Sequence, residues 1–313
     1  MKIVSHALAL AVALAAASAS AEHLAGSERV EFAPQGGGEK ISGFLFSASG
    51  VASGVQSPGV VLVHGSGGVR NAREGFWGRE ISSAGVTVVA IDSFTARGIS
   101  STVEDQSRIT TAQMIRDAFG ALAYLATLPG VDATRVAIMG MSRGGSVALQ
   151  SADDRAVDGS ARFAAHIPLY PGCTLQYRVP RMRGPILMLI GANDDYTGVR
   201  TCAAYVERIR AAGARVELKT YAGAHHGFDT AGVTPVWLAR AQNFRDCMVY
   251  IEDDGRTTLE GTGEAVPTDD PRAAIAILRR SCMRTGATVG SHEEARGLAL
   301  QDVKTFIQTH LSK

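Results

Sequence analysis

Residues 135–145 read RVAIMGMSRGG, an apolar run entering G-x-S-x-G with Ser142 at its centre and a helix-forming stretch behind it. A serine on a tight strand-to-helix turn projects its hydroxyl into the open. The turn needs strained backbone angles and close approaches, which glycines at 140, 144 and 145 permit. Taken alone, the string also spells a plain surface turn. A serine hydroxyl becomes a useful nucleophile beside a base, and the base needs an acid to orient it. Both follow in the chain. The run PILMLI ends in Gly191-Ala192-Asn193-Asp194-Asp195, and the run VELKTY ends in Ala222-Gly223-Ala224-His225-His226-Gly227-Phe228. Singly, the aspartates also suit a helix cap and the histidines a turn without chemistry. In the order serine, acid, histidine, each directly after a strand, they suit a Ser-His-Asp triad. Either aspartate and either histidine satisfies the spacing. The chemistry of such a set is acyl transfer: imidazole takes the serine proton, the carboxylate steadies the ring, and water cleaves the acyl-enzyme.

The tetrahedral intermediate carries an oxyanion that needs fixed N–H donors. One expected donor is the backbone amide of Arg143, the residue after the nucleophile. The other is the amide of Ser66 in VVLVHGSGG, where glycines at 65, 67 and 68 let the backbone approach a substrate. These glycines are no phosphate loop, because no Lys-Ser/Thr follows them. His64 precedes the loop, and a structural role is expected of it.

Elements must bring these distant groups to one place. Residues 28–33 and 40–47 flank Gly36-Gly37-Gly38 and read as an opening hairpin. Apolar strands are then expected at 60–63, 86–91, from 136, and at 163–169, 186–190 and 216–221. Helices are expected at 76–84, 107–128, 143–152, 202–212 and 298–311. Strands without a polar face, alternating with helices, belong to a parallel sheet covered on both sides, hence an α/β fold. In open α/β sheets ligands bind at the carboxyl edge, where all three groups would meet. Residues 229–296 are polar and Gly/Asp-rich apart from a short helix near 272–280. They read as an excursion from the sheet.

The chain has 313 residues, enough to bury a full core. Residues 1–21, with Lys2, an apolar stretch from Ala7 and Ala19-Ser20-Ala21, read as a cleaved signal peptide, leaving one domain at 22–313. The apolar stretch is shorter than the roughly 20 residues of a spanning helix, so no membrane attachment is expected after cleavage. The protein is therefore expected to be exported, periplasmic or secreted. Basic and acidic side chains number 31 and 30, without a basic stripe, which argues against nucleic acid as a partner. A small-molecule substrate is expected. No cofactor or metal is expected, since no C-x-x-C or His pair stands at ligand spacing. In an oxidising compartment the cysteines at 173, 202, 247 and 282 suggest two disulfides rather than four buried thiols. Of three connectivities, chain order favours Cys173 with Cys202 and Cys247 with Cys282. Each closes a loop of about 30 residues and contributes about 3 kcal/mol in a chain-entropy picture.

The combination HGSGG, DSFTARG, RVAIMGMSRGG, GANDDYT and YAGAHHGFD resembles the dienelactone hydrolase family of α/β hydrolases, from about Pro58 onward. Cys282, Gly286 and Gly290, each four residues from the last, also resemble a subgroup of exported members. The resemblance implies an α/β-hydrolase fold, a mostly parallel central sheet with helices on both faces. It also implies Asp194 as the acid and His226 as the base. Two departures stand out. The founding members carry a cysteine where this chain has Ser142 and an acidic residue where it has Gly65, so their thiol-specific activation does not carry over. Their arginines grip a substrate carboxylate; Arg97 matches one such position as a candidate substrate-binding residue, with a structural salt bridge or a solvated arginine as the alternative, whereas Thr230 supplies no second cation. The implied activity is hydrolysis of small carboxylic esters or lactones. A peptidase or acyltransferase on the same fold, or a ligand-binding module without catalysis, is the alternative.

Overall fold

The structure is a computed structural model that describes residues 23–156, 159 and 161–312; the expected signal peptide lies outside the described residues. The chain opens with the antiparallel hairpin of β1 (Glu28–Phe32) and β2 (Ile41–Phe46). Alternation then begins: β3 (Ser57–Val63), α1 (Phe76–Ser82), β4 (Thr87–Asp92), α2 (Thr111–Ala126), β5 (Val131–Met141), α3 (Arg143–Gln150) and β6 (Ala165–Leu169). After the short β7 (Leu175–Tyr177), it resumes with β8 (Ile186–Gly191), α4 (Val199–Ala211) and β9 (Val216–Tyr221). Eight strands form one sheet in the order β1-β2-β4-β3-β5-β6-β8-β9. From β4 to β9 every neighbouring pair is parallel.

The alternation of side chains along the inner strands sorts them into two cores. Val60, Leu62, Val88, Ala90, Ala137 and Met139 pack with Trp77 and Ile81 of α1. Val61, Val63, Val89, Ile91, Val136 and Ile138 pack with Met114, Ile115, Phe119 and Leu122 of α2. Helices thus cover both faces, and the α/β-hydrolase fold expected from the sequence is the one observed. Exposed and half-exposed positions dominate the two edge strands, β1 and β9.

The excursion is more structured than its composition suggests. It contains β10 (Val236–Trp237), β11 (Gln242–Asn243), β12 (Val249–Ile251), β13 (Thr257–Leu259), α5 (Pro271–Ser281), β14 (Arg284–Thr285) and β15 (Thr288–Val289). β10 pairs with β15 and β11 with β14, while the hairpin of β12 and β13 attaches to β7. Cys247, Val249, Leu259, Val266 and Leu278 form a small core of their own. Two disulfides are present, Cys173–Cys202 and Cys247–Cys282; the second closes the excursion beside that core. The chain ends in α6 (Glu293–Leu311), which packs Ala295, Ala299, Val303 and Ile307 against the sheet.

Three helix starts differ from the sequence reading, α4 beginning at Val199 rather than 202. α2 begins at Thr111 because Thr110 and Gln113 cap it reciprocally, each side chain bonding the other's backbone N–H. α6 begins a turn earlier than expected, its polar first turn capped by the His292 ring, which accepts from the Ala295 amide. Among the described residues no helix is long and apolar enough to cross a membrane.

Candidate active site

The topology concentrates chemistry where neighbouring strands lead their helices in different directions. β3 pairs with both β4 and β5, so the loop after β3 lies beside the turn after β5. Ser142 stands in that turn at φ 56° and ψ −115°, one of two non-glycine residues with positive φ among those described. The fit around it explains the spelling. A Cβ at Gly140 would lie 2.1 Å from the Gly144 carbonyl oxygen, one at Gly144 would lie 2.1 Å from that of Val63, and one at Gly145 would lie 2.5 Å from that of Leu169. The packing that admits only glycine at these points also fixes the serine.

The histidine and the acid arrive on the loops after β9 and β8, and the structure brings them to the serine. His226 Nε2 lies 2.8 Å from Ser142 Oγ, and its Nδ1 lies 2.8 Å from Asp194 Oδ2. Asp194 also accepts the amides of Tyr196 and Thr197 and the Thr197 hydroxyl, each at 2.9 Å. Burial acts to raise its carboxyl pKa, but His226 beside it and these hydrogen bonds hold it below the ordinary value. The rings of Tyr170 and Tyr196 flank His226, each with its centroid 4.7 Å away. Behind them the buried Asp229 accepts the Trp77 indole N–H at 2.7 Å and the Tyr170 hydroxyl, tying the histidine loop to α1.

Adjacent residues of the same types have other duties. Asp195 accepts the amide and hydroxyl of Thr288 at 2.8 and 3.0 Å, and its carbonyl oxygen accepts from Asn243 and Arg245. It fastens the excursion. His225 bonds through Nδ1 to the Asn193 carbonyl oxygen. The buried His64 donates from Nδ1 to the Gly65 carbonyl oxygen at 2.8 Å and accepts the Ser93 amide at Nε2. Both ring nitrogens are thus committed to shaping the loop after β3, and burial lowers the ring's pKa.

That loop packs directly on the nucleophile, since a Cβ at Gly65 would sit 3.3 Å from the Ser142 Cβ. Ser66 and Arg143 both line a cavity that opens at Ser142. Gln106 links them. Its side chain bonds the Ser66 hydroxyl, while Arg143 donates from Nε to Gln106 Oε1 and from Nη2 to the Gln106 backbone carbonyl oxygen. The remaining Arg143 nitrogen donates to the Ile109 carbonyl oxygen at 2.9 Å. Burial pushes the guanidinium pKa down to about 10, which leaves it charged at neutral pH. Gln106 belongs to no motif and is not legible in the sequence.

Arg97 is not where the resemblance places it. Its guanidinium donates to both carboxylate oxygens of the fully buried Asp117 at 2.8 Å and to the Ser93 carbonyl oxygen at 2.6 Å. It does not line the cavity. A signal in the sequence does point to this partner: Asp117 lies among Met114, Ile115, Ala118 and Phe119 on the buried face of α2, where a carboxylate needs a cation. Among the described residues no cluster of His, Cys, Asp and Glu is arranged to hold a metal ion.

Known proteins share this fold. Esterase 2 of Thermogutta terrifontis, in a structure described as phosphoramylated by tabun, aligns with 67% of this chain and 88% of its own at 18% identity and a TM-score of 0.56. P91, described as a dienelactone hydrolase-like promiscuous phosphotriesterase from metagenomic libraries, aligns with 92% of this chain and 100% of its own at 14% identity and a TM-score of 0.59. Likeness at such identity shows the fold alone. No curated protein matches the chain in sequence. The dienelactone hydrolase family model, however, matches residues 41–243, from β2 through the histidine loop to β11. The chain therefore belongs to the dienelactone hydrolase family, carboxylic ester hydrolases of the α/β-hydrolase fold.

Proposed function

We propose that the protein hydrolyses small carboxylic esters or lactones through Ser142, His226 and Asp194. The observation that carries this reading is the unbroken hydrogen-bond chain from hydroxyl to imidazole to carboxylate, 2.8 Å at each link, with the serine on a strained turn. Ser142 Oγ attacks the carbonyl carbon while His226 Nε2 takes its proton, and Asp194 stabilises the imidazolium that forms. The backbone amides of Ser66 and Arg143 receive the oxyanion. Collapse breaks the bond to the alcohol, which leaves with the proton from Nε2. Water then attacks the acyl-enzyme, His226 takes its proton and returns it to Ser142 Oγ, and the acid departs.

Export to an oxidising compartment fits the reading, supported by two disulfides and by a sequence start of signal-peptide form. One α/β-hydrolase domain carrying the excursion is the organisation we favour.

The test is labelling with a fluorophosphonate, together with turnover of p-nitrophenyl acetate. Label on Ser142 is expected, with kcat reduced about 10⁴-fold or more in Ser142→Ala and His226→Ala. Folded protein that neither takes the label nor turns over esters overturns the assignment. Organophosphorus triesters are a second probe, because the similar esterase has been described phosphorylated by paraoxon.

A further inference from the structure

We infer that the excursion forms an acyl-binding pocket, and that the preferred substrates carry an uncharged, apolar acyl group much larger than acetyl. The inference rests on the ester hydrolase reading and specifies its substrate. The cavity at Ser142 has a volume of about 440 Å³, within the size range of small-molecule sites. One wall is the body of the fold, with Ile109 and Ile115 near the start of α2. The other wall belongs to the excursion: Val249, Ile251, Val266, Ile275 and Leu278 among others. That second wall lies beyond residue 243, where the family match ends.

Position decides which half of an ester enters. The leaving alcohol must lie against His226 Nε2, because it takes its proton there. From Ser142 the cavity extends past Ser66 and Arg143, the expected oxyanion donors, toward the excursion. The group that extends into it, away from the imidazole, is the acyl group.

Charge decides its chemistry. Three arginines line the cavity, and the protein already engages them. Arg143 bonds through all three nitrogens to Gln106 and Ile109. Arg155 does the same to Asp153, Asp253 and the Val179 carbonyl oxygen. Arg245 donates to the Asp195 carbonyl oxygen. A carboxylate on the acyl group would have to break bonds at Arg143 and at the carboxylate-paired Arg155, leaving only Arg245 of the three to receive it, whereas an alkyl or aryl group meets an apolar wall. The wall is also preformed, since Val249, Val266 and Leu278 belong to the small core closed by Cys247–Cys282.

The experiment measures kcat/KM of the full protein for p-nitrophenyl acetate, butyrate, hexanoate and octanoate. Two variants of Ile275, which lines the cavity outside the small core, are measured alongside. Parent activity should rise from acetate to at least hexanoate, by up to about fourfold per methylene buried. Ile275→Trp should lower the octanoate-to-acetate ratio at least tenfold, and Ile275→Ala should move the optimum to longer chains. Acetate as the best substrate, or ratios unmoved in both variants, overturns the pocket assignment while the hydrolase reading stands. A protein that hydrolyses none of the four and takes no fluorophosphonate label defeats both.

Discussion

Asp194 and Asp195 are chemically alike, yet their environments give them different work. Asp194 meets His226 and three donors from its own loop, whereas Asp195 points at Thr288 across the excursion. Removing the charge of Asp194 leaves the imidazole free to adopt the wrong tautomer, so Asp194→Asn should lower kcat by about 10⁴ with little change in melting temperature. Asp195→Ala should lower kcat less than tenfold but cost about 1–2 kcal/mol of stability, from the lost bonds to Thr288. Steady-state kinetics with urea denaturation separates the two, and the reverse pattern would exchange their roles. The folded pKa of Asp194 lies below its unfolded value. Its contribution to stability is therefore complete above about pH 4 and lost as pH falls through the folded pKa.

At the scale of elements, the strand-to-helix turn tests whether local spelling follows from packing. Gly144 faces the Val63 carbonyl oxygen, at the end of the strand that leads to Ser66, so Gly144→Ala must push apart β3 and the start of α3. A loss of about 3 kcal/mol or more and a collapse of activity are expected, read from thermal melting and ester turnover. At Gly67 a Cβ would meet nothing within 4 Å, and its φ is not positive, so Gly67→Ala should shift stability by no more than about 0.5 kcal/mol. Equal effects at the two glycines would remove the packing argument. This contrast also marks what is legible in the sequence. The inner strands, the turn glycines and the order Ser142, Asp194, His226 can be read because each has a local signature: an apolar run, a fixed spacing, a loop directly behind a strand. Choosing between neighbours such as Asp194 and Asp195 takes the family resemblance. The buried face of α2 marks Asp117 as a carboxylate in need of a cation, but the partners of β7 lie in the excursion, so no local pattern names them. The two- and three-residue strands of the excursion, and the cavity wall they build, arise from nonlocal pairing for the same reason.

For the molecule as a whole, a parallel sheet covered on both faces buries whatever its central strands carry, including His166 in β6. Its Nδ1 donates to the Ala148 carbonyl oxygen at 3.1 Å, and burial pushes its pKa down to about 4. In the unfolded chain the same ring titrates near 6.5. Between these values the unfolded state binds the proton that the folded state refuses, so stability is complete above about pH 6.5 and declines as pH falls toward 4. From about pH 7 to about pH 4.5 the difference amounts to about 2 kcal/mol for this one ring, and the buried His64, also lowered, acts in the same direction. His166→Gln keeps a donor for Ala148 without a group that titrates in this range. Urea denaturation of parent and variant at both pH values should therefore show the variant losing about 2 kcal/mol less on acidification. If parent and variant lose the same amount, the buried imidazole is not what makes this fold acid-sensitive, and the carboxylates at the surface and in the site must account for the decline.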